Sequence, residues 1–372
     1  MQHIYLDNNS TTPIDPQVLS AMMADLSGPP ANPSSIHFFG QRAKKLLQGA
    51  RQTAAVYFGG KPDELIFTSG GTESINLLLR SLPKGHLITT DLEHACVYRT
   101  AKMLETQGYP VTFLSPGVYG APTPAAVEAA IRPDTRAIIL SASNGETGSK
   151  TDLTALAALA EKNHIPLLLD AVSYVGKEPL PLLPGISAVA LSGHKFHSPK
   201  GIGALFVRSS FKITPLSTGG NQEAMRRAGT ENLAGILGLA EALQILHENQ
   251  PAFTAHMLQL RTHFETELFR ALPDLQINGS GPRISNTSNI AFHGCDGETL
   301  LLQLDLAGIA ASHGSACSAG ALEPSRVLLN MGIDRRAARS SIRFSLNRMQ
   351  TRQEIDLALE RIVPLIRKLR SL

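Results

Sequence analysis

The chain has 372 residues, a length that suggests about two domains, and 43% hydrophobic against 17% charged residues excludes a disordered chain. Lys+Arg 34 against Asp+Glu 31 leaves a net charge of +3, too even for a dedicated nucleic-acid binder. The local cluster of Arg335, Arg336 and Arg339 reads first as a solvated face. No apolar run approaches the ~18 residues of a membrane span, and the first residues lack the basic and apolar regions of a signal peptide. The three cysteines, Cys96, Cys295 and Cys317, form no CxxC pair, which speaks against a disulfide framework or a zinc site. The expectation is a soluble, cytoplasmic protein with no membrane or nucleic-acid partner.

In chain order, short apolar runs at Leu65–Thr68, His86–Thr90, Val111–Leu114, Ala137–Ser141, Pro166–Asp170, Ala188–Ser192 and Ala204–Val207 read as buried strands. Most lack clean alternation, as parallel strands covered on both faces do. Helical patterns at Ser74–Arg80, Ala95–Glu105, Ala125–Ile131 and Asp152–Asn163 lie between them. This alternation predicts an α/β fold: a mostly parallel central sheet flanked by helices. After Gly229 the pattern changes. A helix is predicted over Leu233–Asn249, interrupted at Pro251, and a second over Ala255–Leu272. Strand-like pieces follow at Ser288–Phe292 and Ser341–Phe344, then an amphipathic helix over Arg352–Leu372 that Pro364 should kink or break. A boundary at 249–253 gives a large α/β domain, 14–252, and a smaller α+β domain made of 1–13 and 253–372.

Six stretches have the residue types that chemistry needs. In S-G-H-K-F-H-S-P-K-G, Lys195 directly follows a buried strand, at the edge where open α/β sheets bind ligands; a lysine there suits a Schiff base, although alone it also fits a surface turn. His194 and His197 stand three apart with no third ligand, so no metal site is expected. Asp170 ends an apolar strand, where a carboxylate is either paired, for instance with a protonated pyridine nitrogen, or a helix cap. F-T-S-G-G-T-E-S places Gly71 and Thr72 at a strand–turn–helix junction whose N–H groups form an anion cradle. His94, in E-H-A-C, is suited to stack on a flat ring or move protons, or is simply exposed; Cys96 reads as a small buried residue. Cys317 sits among Gly, Ala and Ser, sterically open and near His313. Arg343 alternates with Ile342 and Phe344, so it points away from them, either as a clamp for a carboxylate or onto an exposed face.

The ordered set matters more than any member. Y-L-D-N-N-S-T-T-P, N-P-S-S-I-H, T-S-G-G-T-E-S, E-H, L-L-D-A, S-G-H-K-F-H-S-P-K-G-I-G-A-L, R-R-A-G-T-E-N, H-G-S-A-C-S-A-G and S-S-I-R-F-S-L together resemble the cysteine desulfurases of the NifS/IscS type, from about Ile4 to Arg348. That resemblance implies a homodimeric enzyme of PLP-dependent transferase fold type I (pyridoxal 5'-phosphate, PLP). It would take sulfur from L-cysteine, leave alanine, and pass the sulfur to a protein acceptor for iron–sulfur assembly or other trafficking. It implies that Lys195 carries PLP, that His94 stacks on the ring and that Asp170 pairs with its nitrogen. Gly71, Thr72, Ser192 and His194 would hold the phosphate, with Thr230 of the other subunit. Asn32 and Arg343 would hold the substrate carboxylate and Cys317 would carry the persulfide. Two positions depart from the family: Gly145 stands where an asparagine is usual, with Asn144 one place earlier, and Ser173 where a glutamine is usual. Alternatives of the same fold are a selenocysteine lyase, a cysteine β-lyase, or a low-activity homologue serving as a sulfur-transfer partner.

Overall fold

The structure is a computed structural model that describes residues 2–314 and 324–371. Its largest sheet has seven strands, in the spatial order Leu65–Thr68, Gly203–Val207, Ile186–Ser192, Leu167–Asp170, Thr135–Ser141, His86–Thr90 and Val111–Leu114. Gly203–Val207 runs antiparallel to both neighbours; every other pair is parallel. All seven coincide with expected strands to within two residues at either end. The unbroken apolar runs arise because alternate residues enter different cores. Ile138, Leu140, Leu167, Leu169, Val189 and Leu191 join one hydrophobic cluster, while Ala137, Ile139, Leu168, Ala188 and Ala190 join another on the opposite face. Because the other strands share one direction, the residues that follow Thr68, Thr90, Ser141, Asp170 and Ser192 all emerge at one edge.

The expected break at Pro251 does not occur. Leu233–Ala271 is one helix of 39 residues with Pro251 inside it. An interior proline costs about 3 kcal/mol, whereas each fully buried Leu or Phe contributes ~1.5–3 kcal/mol. Before Pro251 the helix buries Leu239, Leu243 and Leu246 beside the sheet; beyond it, Leu260, Phe264 and Leu268 enter a separate core with Ile290, Ile342, Phe344 and Ile362. Burial on both sides of the proline outweighs the lost hydrogen bond. Pro364 is likewise contained within the single helix Arg352–Arg370.

The second core is closed by an antiparallel sheet of Ser341–Ser345, Thr287–Phe292 and Leu275–Ile277. A short parallel pair joins Ile4–Tyr5 to Ile309–Ala310. Asp7 bridges Ser345 in parallel, so the start of the chain runs alongside the edge strand Ser341–Ser345 of this sheet. Two helices not anticipated from the sequence, Pro16–Leu26 and Phe38–Phe58, pack on the long helix. The first has a readable start: Asp15 accepts the Gln17 N–H at 2.9 Å and Pro16 opens the helix. Among the described residues, no helix is long and apolar enough to cross a membrane.

Candidate active site

A cavity of about 540 Å³ opens at the shared strand edge. Gly71, Thr72, His94, Asn144, Asp170, Ser173, Ser192, His194, Lys195 and Arg343 all line it. Asn32 and Thr230 are exposed and do not line it. Cys317 lies outside the described residues.

Four sheet-edge segments build one wall. The strand Ile186–Ser192 runs straight into the turn Gly193–Lys195. Thr12 pins this turn, its N–H and hydroxyl both donating to the His194 carbonyl, at 2.9 and 3.0 Å. Lys195 Nζ donates to the carbonyls of Asn9 and Ser10, at 2.5 and 3.0 Å. Burial, then the charges of Lys195 and Lys177, hold the His194 imidazole down at about 4, so it is neutral near pH 7. Asp170 is buried at the end of its strand and accepts the Val172 N–H at 3.0 Å. Burial pushes its carboxyl up, while His94 and Lys195 pull it down. A cation is therefore the partner that favours its charged form.

The cradle is the junction Gly70–Thr72. Gly70 has φ +153°, reachable cheaply only by glycine, and a Cβ at Gly71 would meet Val172 at 2.4 Å. The helix Gly71–Arg80 has no side-chain cap, which leaves its first N–H groups turned to the cavity side, with buried Ser192 beside Gly70. This junction suits a phosphate, and Asp170 suits a ring cation. The residues present therefore fit pyridoxal phosphate.

The facing wall comes from the second core and the start of the chain. Ile342 and Phe344 enter the core and Arg343 faces the cavity, as alternation requires. Its guanidinium is already engaged: Nη2 pairs with Asp7 at 2.7 Å and donates to Ser10 at 2.9 Å, and Nη1 donates to the Gly145 carbonyl at 3.1 Å. The buried Nε has no hydrogen-bond partner among the described residues. Arg343 thus lines the cavity with one of its donors unsatisfied by the protein.

The fold adds features that the sequence does not show. Glu93 lines the cavity, wholly buried; desolvation pushes its carboxyl up to about 7 against hydrogen bonds from Ser141 and Thr90. Cys96, half-buried and packed against the core on one face of the sheet, also lines the cavity, its sulfur 3.0 Å from His94 Nδ1, with burial and then the Asp170 charge raising its thiol pKa. His94, Cys96 and Asp170 bring their ligand-type atoms within 4.8 Å of one another. Asn144 is spent on its own turn: its oxygen accepts the N–H groups of Glu146 and Thr147 at 2.9 and 3.1 Å, and its amide donates to the Leu92 carbonyl at 3.1 Å. Gly145 and Ser173 face each other, a Cβ at 145 falling 2.7 Å from the Ser173 hydroxyl.

Residues 4–358 match the model of the class-V aminotransferase family. A cysteine desulfurase of Trichormus azollae is 41% identical over all of this chain and 95% of its own length. Among solved structures, a NifS-like protein superposes with a TM-score of 0.91 at 32% identity, covering 99% of this chain and all of its own. SspA in complex with cysteine gives 0.82 at 32% identity, covering 94% of this chain and all of its own. The chain belongs to the class-V aminotransferase family, on its cysteine desulfurase branch.

Proposed function

We propose that this protein is a PLP-dependent cysteine desulfurase that converts L-cysteine to L-alanine and leaves the sulfur as a persulfide on Cys317. One observation carries the reading: a strand-end lysine, a buried carboxylate, an uncapped helix N-terminus and an arginine with an unsatisfied Nε converge on one cavity. The solved relative SspA in complex with cysteine supports the substrate. When bound, PLP would supply the electron sink that labilises the substrate. Lys195 would hold it and, once released, move protons as an amine. Asp170 would keep the ring nitrogen protonated, and His94 would cover the ring. Gly71, Thr72, Ser192 and the neutral His194 would bind the phosphate, and Arg343 the substrate carboxylate; Asn32, exposed and outside this cavity, is given no part here. The carbon–sulfur bond of cysteine breaks, a sulfur–sulfur bond forms on Cys317, and the proton lost from the Cys317 thiol ends on the alanine carbon.

The same reading makes the protein a homodimer of two-domain subunits, with division near 249–253. Ile36 and Phe38 are 92% and 78% exposed, and Leu19, Met23, Leu26 and Phe39 are exposed with them, an apolar surface suited to a second copy. Thr230, outside the cavity of its own subunit, would serve the phosphate of that copy. A cytoplasmic location would keep Cys96 and Cys295 as free thiols. The persulfide would pass to a protein acceptor of iron–sulfur assembly or another sulfur pathway. Borohydride reduction of the purified protein followed by peptide mapping tests the cofactor assignment. Label on Lys195, lost in Lys195→Ala, is expected; label on a different lysine overturns it.

A further inference from the structure

Lys177 is a lysine only 3% exposed, and no step above uses it. Its ammonium donates to the carbonyl of Lys195 and, at 3.4 Å, to that of Val175. Its own carbonyl accepts the hydroxyls of Thr254, on the long helix, and of Ser285, both at 2.8 Å. One residue thus ties the long helix and the 285 segment to the turn that presents Lys195. The neighbouring carboxylate is committed elsewhere: Glu178 pairs with Lys150 at 3.1 Å and accepts the Ser285 N–H at 2.8 Å. The charged groups acting on Lys177 are Lys195 and Arg348, the latter bonded to Asp15 at 2.6 Å. His194 and His197 feel its charge in turn, and Asp170 faces Lys195. Desolvation, reinforced by Lys195 and then Arg348, brings the Lys177 ammonium down to about 7, so its charge is fully present only below neutrality.

We infer that Lys177 is a positioning residue for Lys195: its ammonium holds the carbonyl of the Gly193–Lys195 turn and brings a like charge to bear on Lys195. A neutral amine is the form that condenses with a carbonyl, and a nearby like charge disfavours protonation. The inference rests on the assignment of Lys195 as the cofactor lysine.

The test is a spectrophotometric pH titration of the visible band of the PLP-loaded, full-length protein, with borohydride mapping alongside. Lys177→Gln keeps a hydrogen-bond donor and removes the charge; Lys177→Arg keeps both. The midpoint is expected to rise by about one pH unit, tenfold in proton affinity, in Lys177→Gln, and in Lys177→Arg, whose charge does not titrate in this range, to lie at or below wild type. Label on Lys195 with an unmoved midpoint in Lys177→Gln overturns the inference while leaving the cofactor assignment intact. Label on another lysine overturns the assignment itself. If Lys177→Gln does not fold, Lys177→Arg decides: a midpoint at or below wild type is required, and a rise of about a unit overturns the proposal.

Discussion

The two walls of the cavity are built differently. The sheet edge places His94, Asp170 and Lys195 within a few residues of the ends of buried strands, so their backbones are fixed by the main sheet. The opposite wall joins residues from the two ends of the chain, as in the pairing of Asp7 with Arg343, 336 positions apart. On the first wall burial raises the Asp170 carboxyl while His94 and Lys195 lower it, so a further cation there would favour its charged form. On the second, the Arg343 charge is already balanced by Asp7 and the guanidinium offers an Nε. A cofactor that stays bound wants the first arrangement. A substrate that must leave as product is better served by the second, because a pre-balanced guanidinium binds a carboxylate less tightly than a bare one.

If the walls divide the work in this way, damage to each should read out differently. The largest effect is expected from Lys195→Ala, with turnover falling roughly a thousandfold or more and the visible band of a covalent cofactor lost. Steady-state kinetics and the absorbance spectrum check both. Arg343→Gln should leave that band in place and lower kcat/KM about tenfold to a hundredfold, mainly through KM, the value of a hydrogen bond to a charged group. A lost visible band in Arg343→Gln would merge the two walls into one function. Asp7→Asn should act chiefly on stability, by about 1–3 kcal/mol in denaturant melts, because it strips the charged partner from a buried guanidinium.

A smaller effect sharpens the picture of the ring edge. A side chain at 145 would run into Ser173, so Gly145→Asn alone should destabilise by about 1–3 kcal/mol and Ser173→Gly should restore part of it. Additive melting temperatures in the double variant would contradict that contact. pH should separate buried bases from buried acids. The His197 imidazole is held down at about 3, by burial first and Arg348 next. The unfolded chain takes that proton below about 6.5 and the folded one does not, so this site weakens the fold as pH falls from about 6.5 toward 3. Glu93, raised to about 7, acts oppositely: its folded form binds the proton more tightly, and stability is lost as pH rises from about 4.5 to 7. Melts of Glu93→Gln across this range should lack the second trend.

The walls also differ in how far the sequence reveals them. S-G-H-K, L-L-L-D-A and E-H are strand ends followed by turns, and local patterning was enough to place Lys195, Asp170 and His94 at one edge. The pairing of Asp7 with Arg343 has no local signal, since it depends on the first strand lying beside Ile309–Ala310. Glu93 was hidden in plain view next to His94, because only the fold shows that its carboxyl turns inward to Ser141. The small, half-buried Cys96 also lines the cavity, which only the fold shows. Pro251 misled because a residue-level penalty was set against burial that only the two cores reveal.

Incubation of the purified protein with L-cysteine, followed by quantification of products and peptide mapping of sulfane sulfur, tests the central claim most directly. Alanine and a persulfide on Cys317 are expected in equal amounts during the first turnover, with neither formed by Cys317→Ser. Pyruvate with free sulfide, or a persulfide mapped to Cys96 or Cys295, would contradict it.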